Sequence, residues 1–358
     1  MTDAVTLNIT GRVQTTVVAN IRQGSASTSA PVVRKLGAGS PLAVYAAVAG
    51  ESVQGNPHWY LIGADQYVWA GACSPLSDGG QNFATNKSTP LPEASSTETG
   101  DATVTNFAGS GAPLSEAGVE NAVAALNVTA PALWSVLSVE TSGCGFLTDR
   151  RPKILFERHI FHRLTSGKWD AEDPDVSAPS RGGYGQSGAH QYLRLAAAMQ
   201  LDADAALQSA SWGLGQIMGE NYKLAGYGSV EGMVSAFVGG EDAQLAGMAN
   251  FIRYSGMAAA LKAHDWSGFA RRYNGPDYAS GNYDGHLALF YAHLVTAGLP
   301  DLQVRACQVY LGYKGYDPGQ ADGVAGPKTT AAIRRFQVAS GLPVNGLVDA
   351  TLLERIAE

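Results

Sequence analysis

The sequence predicts a multidomain chain: a small all-β barrel, then an all-α domain, then a small bundle of three helices. Three observations carry this. The chain has 358 residues, more than one hydrophobic core usually serves. Short β-prone runs bounded by turn residues fill its first part, whereas helical apolar spacing takes over from about residue 115. Between these regimes lies a stretch rich in Ser, Thr, Gly and Pro with almost no periodic apolar signal. The expected domains are therefore residues 1–73, a flexible linker over 74–114, a helical domain over 115–299 and a terminal module over 300–358.

The β-prone runs are VTLNI, TTVVANIR, PLAVYAAV, WYLIG and YVWAG, with Gly, Ser, Asn and Pro clusters between them. Such spacing suits a small antiparallel barrel or sandwich. The linker composition is that of a tether. Helices are expected over EAGVENAVAALN, PALWSVLSVE, GAHQYLRLAAAMQ, EDAQLAGMANFIRYSG and YDGHLALFYAHLVTAG, several of which run into a glycine. In the last module two helical stretches, VRACQVYLGY and KTTAAIRRFQVAS, flank the turn-rich DPGQADGVAGP, and VDATLLERIAE closes the chain. This module has an apparent core of its own and is expected to be separable from the rest.

Composition narrows the function. Hydrophobic residues make up 45% and charged residues 15%, enough for well-formed cores, and the net charge is −7. A nucleic-acid binder or a polybasic membrane-surface protein would be basic. A polymer gripped by this chain is gripped by shape and hydrogen bonds. The three cysteines, Cys73, Cys144 and Cys307, are scattered and form neither a disulfide framework nor a zinc spacing. They suit folding in a reducing compartment. No secretory signal or membrane-spanning run is read in the sequence, so synthesis in the cytoplasm is expected, with export or release by another agent.

The stretch with chemical content runs from Pro131 to Phe146. Pro131 can open a helix, and Leu133, Val136, Leu137 and Glu140 share one helical face. Thr-Ser-Gly-Cys-Gly then breaks the helix, leaving Glu140 in its last turn. Partial burial and the negative end of the helix dipole would both raise its pKa toward neutrality, as a general acid requires. A solvent-exposed helix-terminal glutamate fits the spacing equally well. Ser211-Trp212-Gly213-Leu214-Gly215-Gln216-Ile217-Met218 places two glycines at a turn leading into a helix, where backbone can approach a ligand and Gln216 can hydrogen-bond it. Phe269-Ala270-Arg271-Arg272-Tyr273-Asn274-Gly275 ends a helix with a Tyr-Asn pair.

A glutamate at a helix end, then Gly-Leu-x-Gln, then Tyr-Asn, resembles the layout of the goose-type lysozyme and lytic transglycosylase superfamily. The closer resemblance is to the phage-type N-acetylmuramidases of modular endolysins, over roughly residues 118–298. It rests on VETSGCGF, RPKILFERHIFHR, GGYG, LQSASWGLGQIMG, DWSGFARRYNGPDY and the Tyr283-Asp284 pair. It implies a lysozyme-like domain with Glu140 as proton donor and Glu157 as a second functional carboxylate. It further implies Tyr273 hydrogen-bonded to the acid, and Gly213, Gln216 and Asn274 lining the sugar cleft. The sequence departs from the family pattern at Asp149-Arg150-Arg151-Pro152, where a glycine would precede Arg-Pro. It departs again at Gly239-Gly240-Glu241, where Ser-Glu is usual.

If KILFERHIF is extended, Leu155, Glu157 and His159 share a face near Arg150, Arg151, Lys153 and Arg158. That setting suits a base or electrostatic stabiliser, and equally a structural salt bridge. His159 and His162 lack the further ligands of a metal site, and no cofactor is expected. At the C-terminus, Asp322-Gly323-Val324-Ala325-Gly326-Pro327-Lys328-Thr329 with Ile333 and Phe336 resembles the small peptidoglycan-binding domain of wall hydrolases. Leu342-Pro343-Val344-Asn345-Gly346 is a second copy of its turn. The N-terminal part resembles a bacterial Src-homology-3-like (SH3-like) domain through Val17–Gly24, Pro31–Leu36, Trp59-Tyr60 and Tyr67-Val68-Trp69.

Together the resemblances imply a monomeric peptidoglycan hydrolase, with peptidoglycan as partner and neither nucleic acid nor membrane insertion. A lytic transglycosylase, a secreted wall-degrading effector and an inactive wall-binding protein are the rival readings.

Overall fold

The computed structural model describes residues 11–44, 46–54, 56–63, 66–75, 107–141 and 143–358. The run VTLNI and most of the expected linker lie outside them. The N-terminal part consists of strands β1 (Gly11–Thr15), β2 (Ala19–Gln23), β3 (Val32–Leu36), β4 (Pro41–Val44), β5 (Ala46–Val53), β6 (Asn56–Gly63), β7 (Gln66–Trp69) and β8 (Cys73–Pro75). They form two antiparallel sheets, ordered β3-β2-β7-β6-β5 and β4-β1-β8. Val13, Ile21, Leu42, Val44 and Val68 form the small core. Trp59 is 1% exposed and its Nε1 donates to the Glu51 carbonyl at 2.8 Å, so it is core. Tyr60, Tyr67 and Trp69 are partly buried.

At both ends of the tether expected over 74–114, the described residues have defined places. Residues 74 and 75 belong to β8, and residues 107–114 lie on the helical domain. The Phe107 ring sits 5.3 Å from that of Tyr192 and 5.5 Å from that of Trp212. Ala112 pairs with Gly240, and Leu114 is 3% exposed. Two apolar anchors and paired backbone outweigh the flexibility that Ser and Gly would otherwise confer.

The helical domain starts with α1 (Glu116–Leu126), capped by the Ser115 hydroxyl accepting from the Gly118 N–H at 3.0 Å. Next comes α2 (Ala130–Thr141), whose residues 132–137 are buried all round, which makes it the central helix. A strand, β9 (Ile154–Phe156), leads directly into α3 (Arg158–Leu164), with Glu157 at the helix N-cap. The extended reading of KILFERHIF therefore holds only to Phe156. Helices α4 (Gln191–Leu201) and α5 (Ala203–Gln208) precede strands β10 (Ala210–Trp212) and β11 (Ile217–Met218). With β9 these make a small antiparallel sheet, ordered β11-β10-β9, so the domain is not purely helical. Residues 213–216 accordingly turn between two strands rather than into a helix.

The domain closes with α6 (Val230–Gly239), α7 (Glu241–Tyr254), α8 (Ala258–Lys262), α9 (Trp266–Tyr273) and α10 (Tyr283–Ala297). Helix α10 packs along α2, with Tyr283, Leu287 and Leu294 on its buried face.

Three helices, α11 (Leu302–Tyr313), α12 (Pro327–Ser340) and α13 (Ala350–Ala357), form the terminal module around Cys307, Leu311, Ile333, Phe336 and Ile356. Pro327 is the first residue of α12, where its missing N–H costs nothing. The two turn copies are each held by a buried glutamine. Gln308 Oε1 accepts from the Gly323 N–H at 2.9 Å, and Gln337 Oε1 accepts from the Gly346 N–H at 2.9 Å.

This module, expected from the sequence to be separable, makes buried contacts with the helical domain. Arg305 of α11 and Glu241 of α7 form an ion pair with both side chains 0% exposed. Tyr313 donates its hydroxyl to the Gly111 carbonyl at 2.8 Å, and the Arg150 guanidinium lies over its ring. Cys73, Cys144 and Cys307 are all free.

Candidate active site

Glu140 ends α2 as expected, partly buried, one residue before the helix terminates at Thr141. The last turn is held by Lys153, whose Nζ donates to the Thr141 carbonyl at 3.0 Å, a cation at the negative end of the helix. Burial pushes the Glu140 carboxyl up from its ordinary value of 4.5 to about 7, while a hydrogen bond from Tyr283 pulls it down. Near neutrality the group is thus a mixture of acid and carboxylate, the condition a general acid needs.

The hydroxyl that meets Glu140 belongs to Tyr283, at the first turn of α10. The Tyr273 hydroxyl, expected there, donates instead to the Gly215 carbonyl at 2.7 Å. Tyr273 still borders the site: burial, and after it the nearby Glu140 charge, hold its phenol protonated, well above the ordinary range. Its ring stacks on Phe269, 5.2 Å away, and meets Phe251 edge-on, which aims the hydroxyl at the 213–216 turn.

That turn is stitched to the loop after Glu140. Lys153 N–H donates to the Gly145 carbonyl at 2.7 Å, and the Lys153 carbonyl accepts from the Gly213 N–H at 2.8 Å. Gln244, buried beneath both, accepts from the Leu214 N–H at 2.7 Å. Gly213 must be glycine: its φ is +67°, and a Cβ there would fall 2.5 Å from the Gln244 side chain.

Residues 129–295 match the family model described as N-acetylmuramidase, and residues 301–356 match that of a peptidoglycan binding domain. A solved structure described as the Burkholderia AP3 phage endolysin is 38% identical, over 52% of this chain and 72% of that one, with a TM-score of 0.49. The chain belongs to the N-acetylmuramidase family. The comparison with curated proteins returned no match. With a muramidase domain joined to a peptidoglycan-binding domain, the protein is a peptidoglycan hydrolase.

Within the muramidase domain the other expected residues fall differently. Gln216 adopts a left-handed backbone, φ +47°, and its amide is engaged internally. Its Oε1 accepts from the Ser211 hydroxyl at 2.9 Å, and its Nε2 donates to the Gly213 carbonyl at 2.8 Å. Gln216 therefore braces the turn with the groups that were expected to meet a sugar. Asn274, at the C-terminal end of α9, has an exposed side chain.

Among the described residues, Glu157 shares no interaction partner with Glu140. Its Oε2 lies 3.0 Å from His159 Nδ1, its carboxyl is hydrogen-bonded with Tyr184, and the guanidinium of Arg194 lies within electrostatic reach. Oε2 and His159 Nδ1 are both buried without a hydrogen bond, an unusual state for polar atoms in a native interior.

The positive neighbours expected around Glu157 are dispersed. Arg151 pairs with Asp149 and lies over Tyr192, Arg150 lies over Tyr313, Lys153 caps α2, and Arg158 reaches the Ser180 carbonyl. Each finds a nearer acceptor or ring once β9 turns into α3. His162 pairs with Asp170, and among the described residues no cluster could hold a metal.

Tyr283 is the site residue that the spacing argument passed over. Its only sequence signal is the Tyr-Asp pair opening α10. Asp284 beside it accepts from the Ser267 hydroxyl at 2.6 Å, which ties α10 to α9.

Proposed function

We propose that this chain hydrolyses the β-1,4 bond between N-acetylmuramic acid and N-acetylglucosamine, with Glu140 as general acid. The observation that carries the assignment is the Glu140 carboxyl, raised by burial to about 7 at the end of the central helix. Protonated, it delivers its proton to the leaving glycosidic oxygen, and water attacks the anomeric carbon from the solvent side. Tyr283 holds the resulting carboxylate until it is reprotonated. Tyr273 fixes the 213–216 turn, so that Gly213 offers close backbone and Gln216 a braced edge to the sugar, while Asn274 presents a free amide at the rim.

Glu157 is the candidate for a second carboxylate that activates or stabilises, its buried Oε2 being open to a hydrogen bond from water or a sugar hydroxyl. No metal or cofactor enters the scheme.

The flanking modules raise the local concentration of enzyme on an insoluble polymer. The C-terminal module binds peptidoglycan, and the N-terminal sheets form an SH3-like barrel with a similar role. The protein acts as a monomer on the cell wall after synthesis in the cytoplasm, as an endolysin like the phage protein it resembles, or else as a wall-degrading effector. Neither nucleic acid nor membrane insertion is involved.

The separate surroundings of Glu140 and Glu157 favour one second reading. A lytic transglycosylase needs no base for water, since the muramic acid 6-hydroxyl attacks instead. Mass spectrometry of digested, purified peptidoglycan tests both. Hydrolysis yields reducing-end N-acetylmuramic acid, and predominantly anhydro products, lighter by one water, would overturn it.

A further inference from the structure

We propose that the C-terminal module takes part in catalysis: Arg305, projecting from α11, positions the 143–145 loop that ends the helix carrying Glu140. The inference rests on Glu140 being the acid. The Arg305 guanidinium donates to both carboxylate oxygens of Glu241, at 2.6 and 2.9 Å, and to the Gly143 carbonyl at 2.5 Å. Glu241 in turn accepts from the Gly145 N–H at 2.7 Å and the Leu114 N–H at 2.8 Å. One side chain from the neighbouring module thus holds the loop at Gly143 directly and at Gly145 through Glu241.

The loop has no slack in which to sit elsewhere. Gly143 has φ +99°, and a Cβ there would lie 2.4 Å from the Ala321 carbonyl of the C-terminal module. At Gly145 a Cβ would come 2.0 Å from Gln244 Oε1. The Gly145 carbonyl then passes its position through Lys153 to Gly213, and the same turn receives the Tyr273 hydroxyl at Gly215. The clamp therefore connects both walls around Glu140.

Burial alone would push the Glu241 carboxyl up, but Arg305 and the two N–H donors win and hold it below the ordinary carboxylate range. Two apolar side chains would dock the modules as well as this pair does. What they could not do is hold two backbone groups of the catalytic loop in register.

The test uses the full chain and a soluble alternating N-acetylglucosamine–N-acetylmuramic acid tetrasaccharide, too short to depend on wall anchoring. Arg305→Lys keeps the cation but cannot bond both Glu241 oxygens and Gly143 together. The double variant Arg305→Met/Glu241→Gln removes both charges at once. Both keep the buried site neutral in sum and are expected to fold with melting temperatures close to that of the unaltered chain.

In both, kcat is expected to fall at least about fivefold, as misplaced catalytic geometry dictates. KM should stay within about twofold and adsorption to intact sacculi should be unchanged. Unaltered kcat in either folded variant would overturn the proposal, as would a loss confined to KM, to adsorption or to melting temperature. Glu140→Gln, run alongside, separates the two readings: if it stays active the acid assignment fails, whatever the Arg305 variants do.

Discussion

Tyr283 donates its phenolic hydrogen to the carboxyl of Glu140 across 143 residues of sequence. Burial makes the acid and this hydrogen bond restrains it, so the two residues together set where the enzyme loses its proton donor.

Activity is therefore expected to fall as pH rises through about 7, because the acid must be protonated in the free enzyme. Tyr283→Phe removes a group that stabilises the carboxylate, so the alkaline limb of kcat/KM should move to higher pH. A limb that stays put or moves down would show that another group governs it.

Glu140→Gln should lower turnover of purified peptidoglycan at least about a hundredfold. Its stability effect has a definite sign. A native pKa near 7 against 4.5 unfolded means that the native state binds this proton more tightly, so stability is lost as pH rises between those values. The neutral amide escapes that loss, which amounts to at most roughly 3 kcal/mol. Thermal melts should find the variant more stable than the unaltered chain at pH 8 and indistinguishable at pH 4.

Glu157→Gln should severely reduce activity if its carboxylate activates water, leaving products hydrolytic. The tetrasaccharide assay reads it directly. Full activity would move that role elsewhere while leaving Glu140 untouched.

Deleting residues 301–358 should do more than weaken adsorption to sacculi, because it strips Arg305 from Glu241. Breaking a buried pair costs up to about 3–5 kcal/mol, less where the remaining charge regains solvent. Denaturant unfolding should register a loss of stability in the truncated chain, and adding Glu241→Gln should recover part of it. A truncated chain as stable as the full one would mean that the module is a separable anchor.

Much of this was legible in the chain. Helix α2 announces itself by Pro131 and an apolar stripe that ends on Glu140, and glycines stop it one turn later. The inward packing of Ile333 and Phe336 follows from a 3.6-residue period. These are local relations, in which the residues that decide the outcome lie within a turn or two of one another.

Position within a motif was a poorer guide to partners. Tyr273 was placed on Glu140 by its motif, yet stacking on Phe269 directs its hydroxyl to Gly215. Gln216, which the motif assigns to the sugar, has its amide folded back on Ser211 and Gly213 in a turn with φ +47°. Phe107 looked like part of a tether until Tyr192 and Trp212 supplied a surface for it.

Spacing and periodicity thus specify which segments are helices, where the helical regimes change, and that a carboxyl stands at a helix end. Whether that carboxyl is an acid near pH 7 depends on what covers it, and α10 brings that cover from far along the chain. The same holds for Arg305 and Glu241, 64 residues apart, which no spacing in the sequence links. Burial, pKa and the pairing of charges are set by the packing of distant helices, and no local pattern encodes which of them will meet.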